Sequence, residues 1–233
     1  MRKLGRVIVV GGTSGIGLAT ATILSREGAP VTIIGRDKAK LDAALGDLDG
    51  VAGEVVDATD ADALGIAFSR IGSFDHLVVA SSGGAGAGPF ASVQADHLRR
   101  GFEGKFWTHF NSAQAALPYL AANGSITFVS AASARFANPG TAGLAAINGA
   151  IDRLVPTLAR ELAPRRVNSV SPGVIDTPWW ADKPSGMFEE QSAKAPLGRA
   201  GRPEEVAEAI IFLIRNQFVT GVTLDVDGGL HLT

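Results

Sequence analysis

No cysteine occurs in this 233-residue chain. Disulfides, thiolate catalysis and cysteine-ligated metal are therefore excluded. Histidine is also scarce. The four residues, His76, His97, His109 and His231, show no metal-ligand spacing, so no metal site is expected. One tyrosine, Tyr119, is the whole supply of phenol. Charge of one sign is lacking too. Lysine and arginine number 21 against 23 acidic residues, a net charge of −2 that leaves no footprint for nucleic acid or an anionic membrane. Long apolar runs are missing. The start, "MRKLGRVIVVGG", puts basic residues before an apolar run, but "VIVV" is too short for a signal-peptide core. No segment approaches membrane-spanning length. A cytoplasmic protein with a small-molecule substrate is expected, with neither nucleic acid nor membrane as partner.

What is present is a regular alternation. Hydrophobic residues make up 46 % of the chain, enough for a large core. Short β-branched runs at 6–10, 31–35, 51–57, 76–81, 125–130, 165–171 and 222–229 read as strands. Helical spacing falls between them, up to Gly28, at 37–45 with Asp37 as N-cap, and at 60–72. Further helices are expected at 91–103, 104–122, 141–163 and 203–216, the last with Pro203 in its first turn. A glycine-rich loop, "GGAGAGPF", covers 83–90, and a long irregular segment covers 172–202. Strands joined by single helices need right-handed crossovers, hence a parallel sheet with helices on both faces. The expectation is one doubly wound α/β domain over 1–233, with its ligand at the carboxyl ends of the strands.

The first strand runs into "GGTSGIG", which places Gly11, Gly15 and Gly17 at the strand-to-helix turn. Gly11 permits a tight turn, Gly15 lets backbone approach a pyrophosphate, and Gly17 allows close helix packing. The helix N-terminus offers unpaired N–H groups, and Thr13 and Ser14 add hydroxyls. Strand two ends in Gly35-Arg36. Gly35 has no carboxylate for ribose hydroxyls, whereas the Arg36 fork suits a 2′-phosphate. NADP(H) is thus preferred over NAD(H), with neighbouring Asp37 keeping NAD(H) open. Asp57, with the Ala58 backbone beside it, is placed to meet the adenine.

Together these residues resemble the short-chain dehydrogenase/reductase family. The likeness runs through "GGTSGIG", "VVDATD", "DHLVV", "SITFVS", "LARELAP", "RVNSVSPGVIDTP", "GRAGRPEEVAEAIIFL" and "VTGVTLDVDGG". The resemblance implies a seven-stranded Rossmann fold, usually a homotetramer. It implies that Ile16, Ala80 and Ser81 touch the cofactor, and that Pro172, Gly173, Val174 and Thr177 cover its nicotinamide end. It also implies a catalytic Ser and a Tyr-x-x-x-Lys pair, helped by a helix Asn. Here the pattern fails. The Tyr position falls on Leu144, the Lys position on Asn148, the Ser position on Ala131 and the Asn position on Lys105. The cofactor half of the pattern is kept and the chemical half is replaced.

Lys105, Ser130 and Ser133 are the remaining candidates for catalysis, and Asn148 for holding ribose hydroxyls. Tyr119 is expected to pack as structure. Trp179, Trp180, Met187 and Phe188 fall in the family's substrate-lid segment, where they line an apolar pocket or meet a neighbouring subunit. Three functions stay open: an NADP(H)-dependent oxidoreductase with an altered proton route, a non-catalytic NADP(H)-binding protein, and a cyclase or isomerase using the cleft without net redox.

Overall fold

The computed structural model describes residues 4–233, so the basic Arg2 and Lys3 lie outside the described residues. Seven parallel strands form one sheet in the order β3-β2-β1-β4-β5-β6-β7. They are β1 (Val7–Val10), β2 (Val31–Gly35), β3 (Ala52–Val55), β4 (Phe74–Val79), β5 (Leu120–Val129), β6 (Arg166–Pro172) and β7 (Thr223–Val226). The helices are α1 (Gly15–Arg26), α2 (Lys38–Gly46), α3 (Ala61–Ile71), α4 (Ala95–Gly101), α5 (Thr108–Ala116), α6 (Ala142–Glu161), α7 (Met187–Ser192) and α8 (Pro203–Arg215).

Strand periodicity splits the core between the two faces. Ile8 and Val10 point to one side, where they join Phe68 of α3, Ala116 of α5 and Ile151 and Val155 of α6. Val7 and Val9 point to the other, against Leu24 of α1 and Ile210 and Ile214 of α8. All four β1 side chains are thus buried, as a central strand with both faces covered requires. Each such side chain contributes roughly 1.5–3 kcal/mol of transfer free energy.

Because every strand is parallel, all carboxyl ends lie on one edge. The strand order reverses at β1, between β2 and β4, and opens a crevice there. No helix of the described residues is long and apolar enough to cross a membrane.

Two expectations need correction. The helix expected over 104–122 stops at Ala116, and β5 begins at Leu120 instead of 125. Pro118 has no N–H to continue the helix. The chain turns, the Tyr119 carbonyl accepts the Phe74 N–H, and Leu120 pairs with Phe74. Tyr119 itself packs against the core. The segment 172–202 is less irregular than its sequence suggests, for it holds α7 and a short turn of helix at Pro178–Trp180.

Candidate active site

The crevice begins with backbone. Gly11 has φ +79°, and a Cβ there would lie 2.6 Å from the Ser81 nitrogen at the end of β4. A Cβ on Gly17 would meet the Gly11 carbonyl oxygen at 2.2 Å, so helix and loop touch without room for a side chain. Ser14 caps α1 without spending its hydroxyl there, which leaves the first N–H groups of a twelve-residue helix facing the crevice. Thr177 closes over the loop, its Cγ2 3.2 Å from where a Gly15 Cβ would sit. These contacts leave the N-terminus of α1 open beside glycine backbone, the polarity that a pyrophosphate needs.

At the end of β2, a Cβ on Gly35 would lie 2.4 Å from the Thr13 methyl, which explains why the strand ends in glycine. Arg36 follows, exposed and without an ion-pair partner among the described residues. Asp37 is spent as the N-cap of α2, accepting the Lys40 N–H at 3.1 Å. The Thr59 N–H above all holds the Asp57 carboxyl below the usual carboxylate range, helped by the Thr59 hydroxyl and Arg36. Ala58 is buried beside it.

The chemical end of the crevice is built by β5, α6 and a π-helical segment at Phe102–Trp107 that the sequence did not announce. Such bulges cluster at functional sites because they re-aim side chains out of helical register. Glycines flank it. The Ala85 carbonyl lies where a Gly101 Cβ would stand, at 2.7 Å, and Gly83 packs 3.3 Å from the corresponding point on Gly104. The loop at 83–90 therefore docks onto this helix. Lys105, within the bulge, is half-buried and donates from Nζ to the Ser130 carbonyl at 2.9 Å. Burial pulls its amine down to about 8, while the charge of Asp152 opposes that.

The three catalytic candidates separate. Ser130 is 2 % exposed, and its hydroxyl is directed at the Val170 carbonyl, 3.2 Å away. It is a structural group whose own carbonyl seats Lys105, which corrects the expectation that its hydroxyl faces substrate. Ser133 is half-buried and accepts a hydrogen bond from Asn148 Nδ2 at 3.0 Å. Asn148 also donates to the Leu144 carbonyl, and its buried Oδ1 has no partner. A buried acceptor without a donor points to a ligand hydroxyl. Histidine offers no rival acid here. Burial, with Lys105 nearby, pushes His109 down to about 3, and His76 at the opposite edge lies at about 4.

The lid aromatics pack mainly on one another. Trp180 donates its indole N–H to the Ile175 carbonyl and lies 5.5 Å from the Phe188 ring. Trp179 is 37 % exposed and carries Lys183 Nζ 4.2 Å from its ring centre. That same Nζ stands 3.7 Å from the point a Gly84 Cβ would occupy, so lid and glycine-rich loop meet at the mouth of the cleft. At the end of β7, the "DGG" motif proves structural. The Asp227 carboxylate accepts from the Gly229 N–H and from the His231 N–H and ring.

A family model described as Enoyl-(Acyl carrier protein) reductase matches residues 10–231. A 3-oxoacyl-(acyl-carrier-protein) reductase FabG from Thermotoga maritima is 34 % identical, over 99 % of this chain and 99 % of its own. The chain belongs to the short-chain dehydrogenase/reductase family. That makes it a relative of oxidoreductases that bind nicotinamide cofactors. Among solved structures, a small-chain dehydrogenase in complex with NADPH superposes with a TM-score of 0.85 at 33 % identity, covering 98 % of this chain and 99 % of that one. The MalC Reductase/Diels-Alderase from Malbranchea aurantiaca gives 0.87 at 28 % identity, covering 97 % and 95 %.

In this family member the cofactor residues expected from the sequence, from Gly11 through Thr177, gather along one edge of the sheet. Lys105, Ser133 and Asn148 lie at the same edge. The sequence reading missed the π segment and Asp152. The signal for Asp152 was available: it follows Leu144 and Asn148 at four-residue spacing, a charge on a helix face otherwise turned inward.

Proposed function

We propose that this protein is an NADP(H)-dependent oxidoreductase that interconverts a carbonyl and its alcohol, with Lys105 as proton donor in place of a phenol. The observation that carries the reading is the Lys105 amine, seated on the Ser130 carbonyl with a proton affinity brought close to neutral pH. A general acid works best when its pKa lies near the working pH. When bound, the cofactor supplies the hydride. Lys105 gives its proton to the substrate oxygen during reduction and takes it back as a neutral amine during oxidation. Ser133 donates a hydrogen bond to the same oxygen. Asn148 Oδ1 would accept from a ribose hydroxyl of the bound cofactor, and Arg36 would hold its 2′-phosphate. The NADPH in a structural neighbour supports this choice of cofactor. The exposed Trp107 beside Phe106 and Phe110 supports assembly into a homo-oligomer, a tetramer in keeping with the family.

The test is NADPH oxidation across a broad panel of aldehydes and ketones, with Lys105→Met, Ser133→Ala and NADH alongside. Loss of turnover in Lys105→Met with cofactor affinity kept is expected. Turnover unaffected by Lys105→Met sinks the proposal. A second reading, a non-redox reaction in the same cleft, is favoured by Leu144 where the family has its phenol, and by a neighbour that bears both a reductase and a Diels-Alderase name. Product formation without a change in cofactor would single it out.

A further inference from the structure

One turn beyond Asn148 on α6 stands a carboxylate, Asp152, with no part in the proposed proton transfer. Leu144, Asn148 and Asp152 share one helix face at four-residue intervals, flanked by the core residues Ile147, Ile151 and Val155. The Asp152 side chain is 13 % exposed, and neither of its oxygens has a hydrogen-bond partner of good geometry. Burial pushes its carboxyl above the usual range, against the pull of the Ser130, Ser169 and Thr223 hydroxyls and of Arg135. Arg135 Nε is 3.9 Å away, and its Nη1 is 2.8 Å from Asp225. The Ser130 carbonyl seats the Lys105 amine, whose charge Asp152 favours. Lys105, Asp152, Arg135 and Asp225 thus form one cluster of mixed charge around Ser130 and β7.

A buried carboxylate is costly unless well paired, and the nearest cation to Asp152 stands 3.9 Å away and is shared with Asp225. We propose that Asp152 is a positioning residue for Lys105: its carboxylate, one turn beyond Asn148 on α6, keeps the ammonium charged and seated on the Ser130 carbonyl. The inference rests on the proposed function for its consequence but not for its test. The other titratable groups facing the pair are His109 from α5, which burial keeps neutral, Arg135 from the turn after β5, and Asp225 from β7.

The experiment is a pH titration of the full chain by nuclear magnetic resonance, with lysine labelled at Cε and Lys105→Arg identifying the resonance. In the wild type Lys105 is expected to titrate below the other lysines. In Asp152→Asn its midpoint falls by about one pH unit further, a tenfold change in the protonated-to-neutral ratio. Asp152→Glu keeps the wild-type midpoint. NADPH affinity, by calorimetry, reports that each variant retains its cleft, and Asp152→Ser serves if Asp152→Asn fails to fold. A midpoint unmoved by removal of the carboxylate overturns the inference. The titration needs no substrate, so it decides the role of Asp152 whether or not the oxidoreductase reading holds. That reading fails separately, if carbonyl turnover survives Lys105→Met. Where turnover exists, its pH midpoint must follow the lysine midpoint down in Asp152→Asn; a profile that stays put also refutes the positioning role.

Discussion

Replacing Lys105 by methionine is expected to stabilise the protein at neutral pH while abolishing its proton donor. Burial lowers the amine from its ordinary 10.5 to about 8. Each pH unit between those values is worth about 1.4 kcal/mol, so carrying the charge in the folded state costs about 3 kcal/mol. The folded pKa lies below the unfolded one. The cost is therefore fully present below pH 8, shrinks as the folded state loses its proton ahead of the unfolded chain, and is gone above 10.5. Methionine keeps the unbranched stem and drops the charge. The Ser130 carbonyl then loses its donor, which returns roughly 1 kcal/mol, and Asp152 keeps Arg135 as its remaining cation. A net gain of about 1–2 kcal/mol at pH 7 is expected, read from urea midpoints at fixed protein concentration. The sharper readout is the gap between variant and wild type measured from pH 7 to 10.5, which should fall by about 3 kcal/mol. A variant less stable than the wild type at pH 7, or a gap that does not change with pH, would refute the account of a strained lysine kept for function.

Arg36→Ala should weaken NADP(H) by at least about tenfold while leaving NAD(H) nearly unchanged, measured by calorimetry with both cofactors. Carbonyl reduction should decline as pH rises through about 8, because Lys105 acts as the ammonium, and alcohol oxidation should rise over the same range. Two profiles of the same slope contradict the assignment. Gly17→Ala should abolish cofactor binding and lower the thermal midpoint, since its methyl would fall 2.2 Å from the Gly11 carbonyl oxygen; full NADPH affinity in that variant would mean the loop is more plastic than its packing implies.

The sheet was readable because β1 and β2 are near-continuous apolar runs, and both-face burial leaves no other pattern for a central strand. The cofactor edge was readable for a related reason. Gly11 and Gly17 answer to backbone contacts that admit no other residue, so their spacing alone carries the geometry. The chemical end was not. A π segment depends on how Gly101 and Gly104 meet the loop at 83–90, a tertiary contact with no local period. The start of β5 was hidden likewise, since "YLAANG" lacks alternation and becomes a strand through pairing with β4. Ser130 misled because residue type alone cannot tell a hydroxyl spent on a carbonyl from one facing a cleft.

The double replacement Leu144→Tyr/Asn148→Lys restores the family's pair in sequence, yet Lys105 stands in its way. A new ammonium on the Asn148 position would sit one helical turn from Asp152, the carboxylate that already favours the charge of Lys105. Two cations sharing one buried carboxylate disfavour each other, and one of them loses its proton. The replacement also removes the bonds from Asn148 to Ser133 and to the Leu144 carbonyl. At position 144 a phenol must find room under the glycine-rich loop, where the Leu144 Cδ2 already lies 3.6 Å from the point a Gly86 Cβ would occupy. The double variant is therefore expected to reduce generic ketones poorly. Adding Lys105→Asn relieves the like-charge contact and returns the helix Asn, and should raise NADPH-dependent turnover by about tenfold or more over the double variant, at the low end of what a working general acid contributes. Equal turnover by the double and triple variants would show that Lys105 does not share the electrostatic space of the reacting centre, and its role as the acid would fall with that result.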